Sequence, residues 1–278
     1  AGGGGRLLAI TGAGCSTESG VPDYRSPQGS YSRGHKPMLH SEFVGKASNR
    51  ARYWARSLGG WRYFAEARPN AAHRALAALE GAGQVSALVT QNVDGLHSRA
   101  GSRRVVDLHG RNDTVVCRSC SAARPRLDYQ LELEQVNAEW MAQYMPPLQD
   151  VGEIRADGDA HLAREDFQGF KVVPCHSCDD GVVMPDVVFF GGSLRKETRD
   201  LAKQFVEGAS GVLVLGTSVK VFSAFQLVQA AHKAGKPVAI VNIGETRADN
   251  LVPESLRFPV RCSEALMAVC DRLGVAVE

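Results

Sequence analysis

Four of the chain's cysteines fall into two Cys-x-x-Cys pairs, Cys117/Cys120 and Cys175/Cys178. Two intervening residues let a tight knuckle present both sulfurs to one ion, and zinc takes four thiolates at about 2.3 Å in a tetrahedron. Such a closed site is structural and does no chemistry of its own. Disulfides are the competing reading, but seven cysteines is an odd number and no secretory segment is present, so zinc is favoured. His176, inside the second pair, reads as a bystander and not a fifth ligand. The 54 residues between Cys120 and Cys175 exceed the roughly 15–20 of a compact zinc ribbon, so an inserted subdomain must fill the gap. A helix-like run from Leu127 to Trp140 suits it, as does a polar turn at Asp157-Gly158-Asp159 that lacks the other ligand positions of a calcium loop.

The reaction is therefore expected at a nucleotide crevice. An apolar strand, Leu7-Leu8-Ala9-Ile10-Thr11, runs into Gly12-Ala13-Gly14. Glycines there let backbone N–H groups approach a pyrophosphate, and a helix start behind them favours the anion. Thr17 stands where G-x-G-x-x-G has its third glycine, which weakens an ordinary dehydrogenase reading. The next loop, Ser19-Gly20-Val21-Pro22-Asp23-Tyr24-Arg25-Ser26, carries a carboxylate, a phenol and a guanidinium, side chains that loops use for binding. Gln91, Asn92 and Asp94 follow an apolar run at its carboxyl end, where open α/β sheets build their crevices. Asp94 before Gly95-Leu96 has a competing role as a helix cap. His109 ends another strand, and its unperturbed pKa of about 6.5 suits a general base near neutrality.

The elements that must position these groups alternate. Strands are expected at Leu7–Thr11, Ala87–Gln91, Val105–Leu108, Asp186–Phe190, Gly211–Gly216 and Pro237–Ile243, with helices at Ser48–Phe64, Ala71–Glu80, Lys196–Glu207 and Ser223–Ala234. Continuous apolar strands between helices predict a Rossmann-like, doubly wound parallel sheet of α/β class. The expected partition gives residues 1–40, 69–111 and 186–278 to this nucleotide-binding domain; a helical insertion, 41–68, and a zinc-binding insertion, 112–185, make a smaller one. The chain has 278 residues, 44% hydrophobic, and its 32 basic and 30 acidic side chains leave a net charge of +2. That balance argues against a nucleic-acid scaffold. No apolar run approaches the roughly 20 residues of a membrane span. Ala1 followed by four glycines leads to the expectation that the original amino terminus, with any targeting peptide, has been removed.

Taken together these segments closely resemble the sirtuin family of NAD-consuming protein-lysine deacylases. The matching stretches are Gly12-Ala13-Gly14-Cys15-Ser16, Gly20-Val21-Pro22-Asp23-Tyr24-Arg25, Thr90-Gln91-Asn92-Val93-Asp94-Gly95-Leu96-His97, Leu108-His109-Gly110, both thiol pairs, Pro185-Asp186-Val187-Val188-Phe189-Phe190-Gly191, Gly216-Thr217-Ser218 and Val241-Asn242-Ile243-Gly244. The Asp-Tyr-Arg spelling, Tyr53-Trp54-Ala55-Arg56 and the long insertion resemble the class II branch, which contains a mitochondrial sirtuin and bacterial relatives. Arg111, Gly192 and Phe222-Ser223 depart from the usual pattern.

The resemblance implies NAD as cosubstrate and structural zinc. It implies that Gln91 and Asn92 hold the nicotinamide ribose and that Asp94 takes the carboxamide. Gly12, Ala13, Gly14, Ser16, Thr17, Pro22, Asp23, Tyr24 and Arg25 line the nucleotide, while Gly216, Thr217, Ser218, Asn242, Ile243, Gly244 and Cys262 lie on its adenosine side. The acyl oxygen attacks the ribose carbon, nicotinamide leaves, His109 draws a proton through the ribose hydroxyls so that the 2′-hydroxyl attacks the acyl carbon, and water completes the reaction to lysine and O-acyl-ADP-ribose. Val187, Val188, Phe189, Phe190 and Gly191 pair with an acyl-lysine protein substrate as an added strand. Tyr53 and Arg56, three apart on one helix face, would read an acidic acyl tail, so that dicarboxylic or branched acyl groups are favoured over acetyl. Packing of a basic helix is the bland alternative. Mono-ADP-ribosyl transfer to protein and an NAD(H) oxidoreductase with structural zinc are the other activities. A monomer is expected, in the mitochondrial matrix by resemblance or in the cytoplasm of a bacterium, with neither membrane nor specific nucleic-acid binding.

Overall fold

Runs such as Leu7–Thr11 form strands because both faces of their sheet are covered and no polar alternation is needed. The computed structural model describes residues 6–145, 154–162, 167–178 and 181–278. Its strands are β1 (Leu7–Thr11), β2 (Val85–Thr90), β3 (Val105–Asp107), β4 (Gly110–Cys117), β5 (Ala123–Pro125), β6 (Val183–Val187), β7 (Gly211–Leu215), β8 (Val238–Val241) and β9 (Arg257–Phe258). Its helices are α1 (His40–Gly45), α2 (Ala47–Glu66), α3 (Ala71–Gly81), α4 (Leu96–Arg99), α5 (Arg126–Val136), α6 (Ala138–Tyr144), α7 (Lys196–Gly208), α8 (Phe222–Lys233) and α9 (Cys262–Leu273).

Six strands form one sheet in the order β3-β2-β1-β7-β8-β9, with every pairing parallel. That is the doubly wound order, and it reverses between β1 and β7, where such sheets bind nucleotides. Alternation along β1 sends Leu8 and Ile10 into a core with Ala202, Val206, Phe225 and Val228 of α7 and α8. Ala9 faces the other core, with Leu76 and Leu79 of α3 and Leu266 and Cys270 of α9. Leu8 and Ile10 are fully buried, and each such side chain contributes about 1.5–3 kcal/mol. Asn70 starts α3 by accepting the Ala72 and His73 N–H groups, as its position after Pro69 leads one to expect.

The remaining strands correct the sequence reading. The run Asp186–Phe190 was assigned to the parallel sheet; the strand is instead Val183–Val187, antiparallel to β4, in a separate three-stranded sheet ordered β5-β4-β6. An apolar run does not specify its partner, and β4 opens with the polar Gly110-Arg111-Asn112-Asp113, which hid it. Helix α9 and strand β9 were also not foreseen. The helix start expected behind Gly12-Ala13-Gly14 is replaced by two single 3-10 turns, Ala13–Cys15 and Thr17–Ser19. A third glycine serves close helix–strand packing; without that helix Thr17 is accommodated, and its hydroxyl donates to the Gly14 carbonyl at 3.1 Å.

The small sheet packs with α1, α2, α5 and α6 around Phe43, Trp54, Tyr129 and Phe189. The run Leu127–Trp140 breaks at Asn137, whose amide donates to the Leu133 and Lys171 carbonyls while its own carbonyl accepts the Lys171 N–H. Among the described residues no helix is long and apolar enough to cross a membrane.

Candidate active site

The carboxyl ends of β1, β2, β3, β7 and β8 open into one cavity of about 1160 Å³. Gly12, Ala13 and Gly14 after β1 meet Gly216, Thr217 and Ser218 after β7 on its floor. The approach is close: a Cβ on Gly12 would sit 2.6 Å from the Thr217 Cβ, and one on Gly14 2.8 Å from the Gly216 carbonyl oxygen. Gly216 has φ +56, in the left-handed region. Asn242, Ile243, Gly244 and Cys262 close one side, and Asp23, Tyr24 and Arg25 the other. The Asp23 carboxylate accepts the Arg25 and Ser26 N–H groups at 2.8 and 2.7 Å, which shapes that loop.

Gln91 and Asn92 stand where β2 ends. The Gln91 amide donates to the Thr11 carbonyl and the Thr217 hydroxyl at 3.1 and 2.8 Å, and the Asn92 amide to the Gly12 carbonyl and the Ser16 hydroxyl at 3.1 and 3.0 Å. Three expected nucleotide contacts are absent from the wall: Ser16, Pro22 and Asp94. Ser16 is fully buried beneath Asn92. Asp94 takes the capping role, accepting the Leu96 N–H at 2.8 Å and the Ser16 hydroxyl at 2.6 Å; burial raises its pKa above the ordinary carboxylate value.

His109 follows β3. Its Nδ1 lies 3.1 Å from the Gln91 carbonyl oxygen, which can only accept, so the proton sits on Nδ1 and the Nε2 lone pair is left as an acceptor on a residue that lines the cavity. The Ser223 hydroxyl donates to it at 2.9 Å. Burial lowers the pKa of His109 below its ordinary value, opposed by the Gln91 carbonyl. Ser223 was not proposed from sequence; the one signal was its departure from the family's proline-containing turn. Arg111, another departure, is ion-paired with Asp107 and Asp113.

Two further histidines lie behind the floor, His73 and His97, with rings 4.6 Å apart and both buried. Burial brings His73 down to about 4 and lowers His97 well below 6.5. The unfolded chain titrates near 6.5. The stability these neutral imidazoles contribute is therefore complete above pH 6.5 and is lost as pH falls toward 4, at about 1.4 kcal/mol per pH unit for each group. Thermal melts between pH 7 and 4.5 should show a shallower slope for His73→Gln than for the wild type. An identical slope would remove the assignment.

The four pair thiols converge. Their sulfurs all lie within 4.8 Å of one another, with Cys117–Cys178 at 3.6 Å and Cys120–Cys175 at 3.7 Å. A tetrahedron with bonds of about 2.3 Å has edges of about 3.8 Å, whereas a disulfide needs about 2.05 Å. The Ser119 and Ser177 N–H groups donate to the Cys117 and Cys175 sulfurs at 3.3 Å, as zinc knuckles require. The donor set and its dimensions fit structural zinc. His176 is not in the cluster and faces Glu132 at 3.5 Å.

A second cavity of about 550 Å³ shares Tyr24, Val93, Val188, Phe189 and Phe190 with the first. Tyr53, Arg56 and Val187 line it and are absent from the first, while Gly191 lines only the first. Tyr53 packs on Phe43, Trp54 and Phe189 with ring centroids 5.2–5.3 Å apart, and burial holds its phenol protonated.

A parallel sheet with a nucleotide crevice at its switch point, joined to a four-thiolate module, defines an α/β dinucleotide-binding protein with a structural metal site. The chain belongs to the Sir2 family, whose model matches residues 12–223. It is 48% identical over 262 residues to an NAD-dependent protein deacetylase of Xanthomonas campestris, covering 94% of this chain and 85% of that one. Against the NAD-dependent protein deacetylase of Bordetella bronchiseptica the identity is 48% over 268 residues, with 96% and 94% covered. A solved Sir2 structure with a p53 peptide and NAD+ superposes with a TM-score of 0.76 at 28% identity, covering 98% of this chain and 94% of that one. These relatives are bacterial, which argues against the mitochondrial expectation.

Proposed function

We propose that this protein is an NAD-dependent protein-lysine deacetylase that works on acyl-lysine proteins in a bacterial cytoplasm and that also accepts dicarboxylic acyl groups, in preference to acetyl. The observation that carries the reading is His109: its Nδ1–H is committed to the Gln91 carbonyl and its Nε2 faces the cavity at the sheet's switch point. The Ser223 contact at 2.9 Å indicates that an O–H can reach this nitrogen at hydrogen-bond distance.

The wall fits a dinucleotide. It combines the neutral donors Gln91, Asn92 and Thr217 with Arg25, Lys220 and Arg261, cations suited to a pyrophosphate. When bound, NAD supplies the ribose carbon that the acyl oxygen attacks. The chain's own residues orient and move protons: Gln91 and Asn92, braced by Thr11, Thr217 and Gly12, hold the ribose side, and His109 Nε2 takes a hydroxyl proton. Val188 to Gly191 lie outside the regular strands at the cavity mouth, where a substrate backbone adds alongside them.

The preference for acidic acyl groups rests on the second cavity, which continues from the first past Val188 and Phe189 and carries Tyr53, Arg52 and Arg56. One peptide carrying acetyl-, butyryl- or glutaryl-lysine, incubated with NAD, tests both levels. Nicotinamide and O-acyl-ADP-ribose are expected from each cleaved peptide, with kcat/KM highest for glutaryl and no NADH absorbance. No product from any peptide would defeat the activity, and acetyl turnover equal to or above glutaryl would defeat the preference.

A further inference from the structure

An imidazole nitrogen has one lone pair, and the Ser223 hydroxyl already uses that of His109 Nε2, at 2.9 Å. A hydroxyl that enters the cavity therefore meets an occupied base. Ser223 itself lines the cavity and is half-buried, and its Oγ makes no other hydrogen bond among the described residues. A serine oxygen that donates its one proton keeps two lone pairs, so Ser223 can accept from a hydroxyl in the cavity while it donates to His109.

The backbone holds Ser223 in that place. It is the second residue of α8, whose first turn receives no side-chain cap from Val221. The N–H groups of that turn have no partner within the helix, and they set its positive end beside Oγ, where negative charge gathering on the oxygen is favoured. The loop before α8 is strained: Val219 has φ +41, a left-handed conformation that a β-branched residue seldom adopts. Full burial keeps it so, together with a bond from its N–H to the Thr217 hydroxyl at 3.0 Å. Arg247 braces the same loop, its N–H donating to the Ser218 carbonyl at 2.9 Å and its guanidinium lying 4.3 Å from the centre of the Phe225 ring of α8. The Thr217 hydroxyl also accepts the Gln91 amide at 2.8 Å, while the Gln91 backbone carbonyl takes the His109 Nδ1–H. Gln91 thus anchors both partners, the imidazole directly and the serine through its loop. Strain that persists because its surroundings impose it clusters at functional positions.

We infer that Ser223 is a catalytic residue, the relay through which His109 takes the substrate's hydroxyl proton. This rests on the reading of His109 as the general base. The substrate hydroxyl gives its proton to Ser223 Oγ while the Ser223 proton passes to His109 Nε2. One O–H bond breaks on the substrate and one on the serine, a new serine O–H and an N–H form, and the charges left are an imidazolium and a nucleophilic oxygen. Ser223 ends as it began. The family's usual turn contains a proline here, which has no hydroxyl, so the relay belongs to this chain's Phe222-Ser223 departure.

The test uses the whole, zinc-loaded protein. Threonine and valine share one shape and differ by the hydroxyl, so Ser223→Thr and Ser223→Val are compared with the wild type on NAD and an acetyl-lysine peptide. Ser223→Val should form O-acyl-ADP-ribose about 100-fold more slowly through kcat, with little change in the KM for NAD, and Ser223→Thr should recover most of that loss. In mixtures of light and heavy water, single turnovers of the wild type should show the curved dependence of two protons in motion, and those of Ser223→Val a straight line. Without NAD, the nitrogen resonance of His109 Nε2 should shift in Ser223→Val and hold in Ser223→Thr, which reports the lost donor independently of turnover. Melting temperature and zinc content establish folding; if Ser223→Val does not fold, Ser223→Ala is judged by the same criteria. Turnover by Ser223→Val equal to or above the wild type would make Ser223 a placeholder that the substrate displaces, and a rise in the KM for NAD alone would make it cavity wall. Either result overturns the relay, as would a straight line for the wild type or an unshifted resonance in Ser223→Val. His109→Tyr that turns over like the wild type would overturn the base itself, and the relay with it.

Discussion

His109→Tyr is expected to fold, to keep its zinc and to form O-acyl-ADP-ribose at least ~100-fold more slowly than the wild type, the usual scale of one general base. A phenol that titrates near pH 10 holds its proton at neutral pH and cannot take another from a hydroxyl. The histidine can, because the Gln91 carbonyl fixes the proton on Nδ1 and leaves the Nε2 lone pair to accept, as it does from the Ser223 hydroxyl. Burial sets the pH dependence: with its pKa below 6.5, His109 is neutral across physiological pH. The base form is lost only as pH falls through that lowered value, so the acid limb of kcat/KM should lie below pH 6.5 in the wild type. Near-wild-type formation of O-acyl-ADP-ribose by the tyrosine variant would sink the mechanism.

Cys117→Ser or Cys175→Ser should lower solubility, melting temperature and activity together. A structural zinc site is not preformed in the unfolded chain, so its binding energy is folding energy. The connection to activity is covalent and short. Cys117 ends β4, and Cys175 pairs with Gly181 just before β6. The opposite ends of these strands carry His109-Gly110 and Val187-Val188, where the Val188 N–H donates to the His109 carbonyl at 2.8 Å. Releasing the sulfurs frees one end of a strand pair whose other end holds the base. The packing leaves little slack, since a Cβ on Gly181 would be 2.3 Å from the Cys117 sulfur. A metal assay of pure protein that finds no zinc while activity is intact would remove the claim.

The sequence by itself determined the parallel-sheet strands β1, β2, β3, β7 and β8 to within a few residues, because each is a continuous apolar run bounded by polar or glycine positions. It likewise named the four thiols, which the structure brings together, and His109, whose strand-end position survives folding. Chemistry that depends on residue type and short spacing is legible in this way. Contacts between distant segments are not. Only the tertiary structure put Val183–Val187 beside β4 in the small sheet, a pairing across a long insertion that an apolar run cannot specify. Only there does Ser223 meet His109, 114 residues away in sequence. The same holds for Asp94, whose carboxylate is drawn from the crevice wall by Ser16 and the Leu96 N–H. Arg56 lies on a helix whose sequence does not name its partners, and only the fold brings the 154–160 turn back from about 100 residues downstream to engage it through the Ala160 carbonyl and the Asp159 carboxylate.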